Sequence, residues 1–181
     1  MITDRVTLKT ETIYSDNRQH RYLLRKEWDP KKPKATIIMT NPSTADILTM
    51  DYTTMYILNN LVKLGFGSVD IVNMISKPTK KLKIKDDIDS LDEINLSIIE
   101  KAADKSDSVI VAWGKLGENN KKVRVIQERL LARLKPFRNK LFEIASEKGD
   151  FGFHPLAPQI RFTWVLKKFE FDEDPNEGTT S

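Results

Sequence analysis

Three largely apolar stretches most constrain how this chain can fold. Strands that are apolar on both faces are typical of the buried centre of a parallel sheet, because helices cover such strands on each side. A polar segment and then an amphipathic helical pattern follow these stretches. The alternation predicts a three-layer α/β/α sandwich around a central, mostly parallel, four-stranded sheet, with "LFEIA" as the fourth strand. The three stretches are "KATIIM", "SVDIVNMI" and "SVIVAWG", at residues 34–39, 68–75 and 108–114.

Helical patterns fill the intervals between these strands. The first begins at Asp51, a residue suited to the N-cap position, and ends at Gly65. The second covers Ser90–Lys105. The third is basic, runs from about residue 120 to 135, and stops near Pro136, which cannot continue a helix.

The two ends of the chain complete the predicted organisation. Residues 5–13 and 21–28 flank the turn-like "SDN" and predict an N-terminal antiparallel β-hairpin. There is no internal repeat and no long linker, so we expect one α/β domain over residues 1–171 and a monomer. The acidic and polar residues 172–181 are expected to form a disordered tail.

Composition excludes several kinds of site. The sequence has no cysteine and two histidines, which excludes disulfides, thiolate zinc sites and iron–sulfur clusters. No acidic cluster has a metal-ligand spacing, so we predict no metal and no cofactor. The N-terminus lacks a signal-peptide pattern and no apolar run approaches the roughly 18 residues of a membrane span, so we expect a cytoplasmic protein without membrane contact. The net charge of +4 permits contact with nucleic-acid phosphates without requiring it.

Polar residues recur where the predicted parallel strands end. In open α/β folds, ligands bind beyond the carboxyl ends of the strands. Four loops are therefore expected to converge on one crevice. In chain order they carry "NPST" at residues 41–44, Asn73, Trp113-Gly114 and His154-Pro155.

Each of these signals also has a purely structural interpretation. Asn41-Pro42 is a common turn, and Asp46 or Asp51 could be a helix cap without chemistry. Trp113 is more typical of packing than of ligand contact. A histidine packed on an apolar face would not lie in the Gly- and Pro-rich segment around His154. Because all these polar residues share a position at strand ends, together they indicate a site.

Taken together, the motifs closely resemble a catalogued bacterial and phage family of unknown function, family 1643 of the domains of unknown function. The resemblance extends from about Arg21 to Leu156, and its most specific part is "NPSTAD". On these residues the chain is identified as a member of that family. The motifs that carry the resemblance are "RYLLRKEW", "IIMTNPSTAD", "GFGSVDIVNMI", "VIVAWG" and "HPL".

The order of the motifs is also similar to that of the uracil-DNA glycosylase superfamily. That superfamily has an Asp/Asn-Pro loop after its first core strand, then a strand-ending Asn, a strand ending in Trp-Gly, and a late His-Pro loop. Here "MTNPS", "IVNM", "VAWG" and "FHPL" occur in the same order. Met39 and Thr40 replace a glycine-led start, and Leu156 replaces a serine of the last loop, so the resemblance is consistent with the fold without establishing the activity.

The resemblance implies a DNA glycosylase that hydrolyses the N-glycosidic bond of a uracil or modified pyrimidine, in repair or in defence against modified foreign DNA. Asn41 would hold the attacking water, with help from Asp46 or Asp51. His154 would donate to the oxygen of the leaving base, where negative charge develops.

The same resemblance implies the contacts to DNA. Asn73 would read a pyrimidine edge, and Tyr52 or Phe151 would stack on the extruded base. Arg21 and Arg25, four residues apart on one strand, are expected to lie on one face and to contact phosphates. The remaining predicted contacts are Pro42, Ser43 and Thr44 for the base and Pro155 for the backbone.

Two other classes of function stay open at this stage. A non-catalytic nucleic-acid or nucleotide binder with the same fold is favoured by the weak acid–base inventory, because Asn41 cannot act as a general base. An enzyme acting on a free nucleoside or nucleotide is the third possibility. An abasic-site assay separates the glycosylase from the binder, and steep salt dependence separates DNA from a small molecule.

Overall fold

The computed structural model describes residues 1–43, 45–78 and 92–171. This part of the chain is a mixed α/β structure with one seven-stranded sheet and three α-helices. The predicted tail, residues 172–181, lies outside the described residues. The strands are β1 (Lys9–Tyr14), β2 (Arg21–Glu27), β3 (Lys34–Met39), β4 (Ser68–Asn73), β5 (Ser108–Val111), β6 (Leu141–Ala145) and β7 (Val165–Lys168), and the helices are α1 (Tyr52–Lys63), α2 (Glu93–Asp104) and α3 (Lys121–Leu134).

The sheet has the strand order β1-β2-β4-β3-β5-β6-β7, and its four middle strands pair in parallel. The predicted parallel strands and the N-terminal antiparallel hairpin are confirmed. The sheet is nevertheless larger than the four strands expected, because β2 joins the hairpin to β4 and because β7 pairs with β6, both antiparallel. Parallel pairing brings the carboxyl ends of β3, β4, β5 and β6 to one edge of the sheet.

Apolar side chains on the two faces of the sheet form separate clusters with different helices. Ile57 and Leu61 of α1 belong to one cluster. The other cluster contains side chains of α2 and α3, among them Ile99. Neighbouring residues of β3 alternate between the two, with Ile37 in the α1 cluster and Ile38 in the other. Both faces of β3 therefore contribute to apolar clusters, which explains why this strand is apolar throughout.

Aspartate caps determine where two of the helices begin. Asp51 Oδ1 accepts a hydrogen bond from the N–H of Thr54 at 2.8 Å, which confirms the predicted start of the first helix. Asp92 caps α2 in the same way, so that helix begins at Glu93. The start predicted for it, Ser90, lies outside the described residues.

A buried acid in β4 ties the hairpin to the parallel strands. The carboxylate of Asp70, which is fully buried, pairs with Arg25 of β2 through Nε–Oδ1 at 2.7 Å and Nη2–Oδ2 at 2.9 Å. Lys34 approaches the same carboxylate to 2.6 Å, and Arg25 also pairs with Glu11 of β1 at 2.9 Å. The hydrogen bonds to Asp70 raise the pKa of the guanidinium of Arg25. The cluster links β1, β2, β3 and β4, and the loss of one partner would be strongly destabilising because it would leave a buried acid incompletely paired.

Replacing Arg25 with alanine should therefore lower the free energy of unfolding by about 3 kcal/mol, since Asp70 would keep only Lys34 as a partner. Urea denaturation measures the change. Arg129→Ala, which removes an exposed arginine of α3, is the matched control and should change stability by less than about 0.5 kcal/mol. If Arg25→Ala is as stable as the wild type and only its DNA affinity falls, Arg25 is a phosphate contact and not a structural residue.

Candidate functional site

The loop after β3 is held by a buried arginine from the hairpin. Arg21 is 2% exposed, and its Nη1 donates to the backbone carbonyls of Ser43, at 3.3 Å, and of Ala45. Burial lowers the pKa of this guanidinium, although the negative charges of Asp46 and Asp51 oppose the effect. The cation is thus stabilised by carbonyl dipoles, and the loop in turn is fixed to β2.

A buried lysine holds the next part of the same loop. Lys26 is 1% exposed, and its Nζ donates to the carbonyls of Asp46 at 3.4 Å and Ile47 at 3.2 Å. The hydroxyl of Thr10 in β1 is a third acceptor at 3.3 Å. Burial lowers the pKa of the ammonium. Two neighbouring turns of an irregular loop are therefore fixed to one strand by buried cations.

Asp46 organises a tight turn that exposes apolar side chains. Its Oδ1 accepts the N–H groups of Leu48 at 2.9 Å and Thr49 at 2.7 Å, and these hydrogen bonds lower the pKa of the carboxyl. Leu48 at the tip is 90% exposed, and Tyr52 at the start of α1 is 72% exposed. Asp46 therefore has a structural role in this turn, whatever further role it has.

The loops after β3, β5 and β6 are in contact with one another. The hydroxyl of Thr40 donates to the carbonyl of Trp113 at 3.3 Å, and the amide of Asn41 donates to the carbonyl of Pro42 at 3.4 Å. A Cβ atom built on Gly114 would lie 3.1 Å from the Cβ of His154. Since Gly114 also has φ of +69°, only glycine suits this position.

The imidazole of His154 accepts a hydrogen bond from the backbone. Its Nδ1 accepts the N–H of Leu156 at 3.2 Å, so the ring proton of the neutral form lies on Nε2. Burial lowers the pKa of the imidazole, and the charge of Asp51, which caps α1, offsets part of that effect. Two of the predicted catalytic residues, His154 and Asp51, are therefore close enough to interact electrostatically.

Asn73 is the most unusual polar residue at this edge. It ends β4 opposite Met39 of β3, and it is fully buried. Its backbone carbonyl accepts from the side chain of Asn95 at 2.9 Å. Among the described residues, neither Oδ1 nor Nδ2 of Asn73 has a hydrogen-bond partner. A buried amide without partners is costly, so a bound ligand is one candidate for the partner of Asn73.

The other predicted contacts fall in different surroundings. Arg25 lies in the ion-pair cluster around Asp70, whereas Arg21 reaches the loop after β3, so the two arginines do not present one common surface. The pairing of β1 and β2 is irregular between Ile13 and Tyr14, and this irregularity changes which side chains share a face. Pro42 and Pro155 are buried, Ser43 is half-buried, Phe151 is exposed, and Thr44 lies outside the described residues.

Sequence reasoning missed three polar side chains that the fold buries at or near this edge. They are Lys26, Asn95 and Glu143, each at most 7% exposed. The signal for Glu143 was available, since it is the one charged residue in the apolar strand "LFEIA". Nothing in the sequence marks Lys26 as buried, because its neighbours in β2 are also charged.

Two absences hold for the described part of the chain. No group of three or more His, Asp or Glu side chains there could hold a metal ion. None of the helices there has the length and apolar character needed to cross a membrane.

A comparison with protein families identifies what the motifs belong to. Residues 21–156 match the family described as "Protein of unknown function (DUF1643)". The chain belongs to this family. The match begins at the first residue of β2 and ends two residues after His154, so it contains every loop described above. No curated protein and no solved structure matches the chain. The similarity to the uracil-DNA glycosylase superfamily therefore stays a prediction.

The lowered pKa of His154 makes stability depend on pH with a definite sign. Unfolded His154 takes up a proton as the pH falls through about 6.5, whereas the folded residue does so only at lower pH. The free energy of unfolding should therefore decline from pH 7.5 to pH 5, and His154→Asn, which keeps an acceptor for the N–H of Leu156, should show a smaller decline. Urea denaturation at several pH values measures it. His20→Asn, which retains His154, is the control, and an unchanged slope in His154→Asn would contradict the assignment.

Proposed function

We propose that this protein binds a nucleobase extruded from DNA and hydrolyses its N-glycosidic bond, with a uracil or modified pyrimidine as the base. The observation that carries the proposal is Asn73, a buried amide whose donor and acceptor both lack partners among the described residues. A pyrimidine edge offers a carbonyl and an N–H side by side, which matches one amide group. Because Asn73 is fully buried, a base can reach it only if the groups that cover it move.

His154 supplies the donor that this reaction needs. Breaking the bond gives an oxocarbenium-like sugar and a base that leaves with the bonding electron pair, so negative charge gathers on a base carbonyl oxygen. A neutral imidazole with its proton on Nε2 can donate to that oxygen. The Asp51 carboxylate near His154 would stabilise positive charge on the sugar, and Asn41 would orient the water that attacks it.

The exposed turn that Asp46 organises, in the loop after β3, fits a partner with stacked bases. Leu48 is 90% exposed and Tyr52 72%, although both are large and adjoin the loop that carries Asn41. Exposed apolar side chains on a turn fixed by Asp46 and Lys26 favour a partner with an apolar surface. Apolar residues that enter a base stack are one such use.

The proposed function includes a finer description of the fold. We propose a three-layer α/β/α arrangement similar to uracil-DNA glycosylases, with the remaining strands as additions at the sheet edges. The parallel order β4-β3-β5-β6 and the separation of α1 from α2 and α3 into different apolar clusters support it.

A non-catalytic nucleic-acid or nucleotide binder is the second candidate. The observation that favours it is that both candidate acids, Asp46 and Asp51, already accept hydrogen bonds from the backbone. Oδ1 of Asp46 accepts backbone N–H groups, and Asp51 already caps α1. Neither is arranged as an evident general base, so water activation would depend on orientation more than on proton removal.

Replacing Asn73 with leucine should raise the free energy of unfolding by about 1 kcal/mol or more, because an unsatisfied buried amide is exchanged for an apolar group of similar size. Binding of pyrimidine-containing DNA should be lost at the same time. Urea denaturation and fluorescence anisotropy measure the two effects. Asn60→Leu is the control, because that buried amide donates to two carbonyls and its loss should destabilise the fold. Destabilisation by Asn73→Leu would mean that Asn73 is an ordinary structural residue.

Incubation with oligonucleotides that carry normal, deaminated and modified pyrimidines, followed by alkali cleavage, should reveal an abasic site for one of them. His154→Ala should then slow single-turnover hydrolysis by about 100- to 1000-fold and change DNA affinity little, because its donor acts as charge develops. His20→Ala is the control and should keep the wild-type rate. If no substrate yields an abasic site and His154→Ala abolishes DNA binding, the binder replaces the enzyme.

A further inference from the structure

A cavity that the proposed reaction does not use lies at the carboxyl ends of β5 and β6. Its volume is about 640 Å³, and it is bounded by the segments Trp113–Glu118 and Gly149–Gly152 together with α3. A smaller cavity of about 350 Å³ adjoins the same side chain of β6, Glu143, and the chain after β7. Cavities of this combined size are typical of small-molecule sites.

Glu143 of β6 lies between the two cavities. It is 7% exposed, and no described residue donates a hydrogen bond to its carboxylate. Burial raises the pKa of this carboxyl. Its cross-strand neighbour Lys167 brings Nζ to 4.0 Å from Oε1, which is beyond hydrogen-bond distance. The cross-strand ion pair accounts for the position of Lys167. It does not explain why a nearly buried carboxylate faces a cavity without a hydrogen-bond donor.

Aromatic side chains form part of the walls around this carboxylate. Trp113, Phe151 and Phe169 line the larger cavity, and the last two also line the smaller one. The ammonium of Lys167 lies 3.5 Å from the centre of the Phe151 ring. This ring is thus already positioned to bind a cation next to the carboxylate.

The charges of the larger cavity determine the sign of a suitable ligand. Three acids line it, Glu118, Glu143 and Asp150, and one base, Lys115, while the ammonium of Lys167 lies 4.0 Å from Glu143, so the acids still outnumber the bases. A phosphate would be repelled there, whereas a cation would be attracted.

We propose that this cavity binds a ligand bearing a guanidinium or amidinium group, with the carboxylate of Glu143 as its anchor. A planar cation of this kind donates two parallel N–H groups to the two carboxylate oxygens and stacks on an aromatic ring, which an ammonium cannot do. Trp113 and Phe151 provide the stacking surfaces. The site is independent of base binding at Asn73 and holds whether or not the protein is a glycosylase.

Titration with benzamidine and with arginine amide, followed by two-dimensional NMR of the backbone amides, tests the proposal. Both probes should shift the resonances of Gly114 and Gly152 saturably. Glu143→Gln should weaken binding by about tenfold or more, because the charge of the acceptor is lost. The control Glu118→Gln, at the exposed rim, should change it by less than about threefold. Lys167→Gln should strengthen binding, since a competing cation is removed.

Three results would overturn the proposal. They are no saturable shift with either probe, equal binding by wild type and Glu143→Gln, and tighter binding of guanosine monophosphate than of both probes. If Glu143→Gln does not fold, Phe151→Leu replaces it, because that ring is 47% exposed and outside the core. Loss of the aromatic surface should weaken benzamidine binding about fivefold, and unchanged binding would again exclude the site.

Discussion

The position of the loop after β3 depends on two cations inside the protein. Arg21 and Lys26 both project from β2, both are almost fully buried, and among the described residues neither has a carboxylate within ion-pair distance. A buried charge costs several kcal/mol unless dipoles replace the lost water. Here carbonyl groups of the loop accept hydrogen bonds from Nη1 of Arg21 and Nζ of Lys26, whereas Nε and Nη2 of Arg21 have no partner among the described residues. The dependence is mutual, because without the cations these carbonyls would lose their donors. An irregular segment is thereby hydrogen-bonded to the strand next to it.

The same arrangement determines the charge state of the site. The field of Asp51 acts on Arg21 and on His154, and in each case it raises the pKa. Burial acts in the opposite direction and is the larger effect for both groups. The charge at neutral pH nevertheless differs between the two groups, because an arginine loses its proton only far above neutral pH, whereas an imidazole ordinarily titrates close to it. His154 is therefore neutral beside an acid, and it offers an N–H donor without adding a second buried cation.

The sequence predicted the parts of the molecule that depend on local pattern. The parallel strands, the hairpin and the cap at Asp51 follow from apolar periodicity and from a single side-chain hydrogen bond. The sequence did not predict the directions of the Arg21 and Arg25 side chains. One irregularity in the pairing of β1 and β2 changes the alternation of side chains between the two faces that a regular strand would impose. The burial of Glu143 had a signal in the sequence, since it is the one charged residue of "LFEIA", but the cavity beside it depends on side chains from α3 and from the chain after β7. Tertiary packing, which no short window of sequence contains, determines these features.

Asn73 and Glu143 are both buried polar groups near the carboxyl edge of the sheet, and the sheet itself separates them. Asn73 has no side-chain partner among the described residues, whereas Glu143 has Lys167 at 4.0 Å. Asn73 continues the face of Ile71, which packs with α1, whereas Glu143 precedes Ile144 and lies on the side of α3. A neutral amide and a carboxylate on opposite faces suit different ligands, so the occupation of one does not by itself block the other. Gly114 connects the cavity of Glu143 to His154, because it lines that cavity and because a Cβ atom built on it would lie 3.1 Å from the Cβ of the histidine. A ligand that moved Gly114 towards the loop after β6 would therefore press on His154, because little space lies between the two residues.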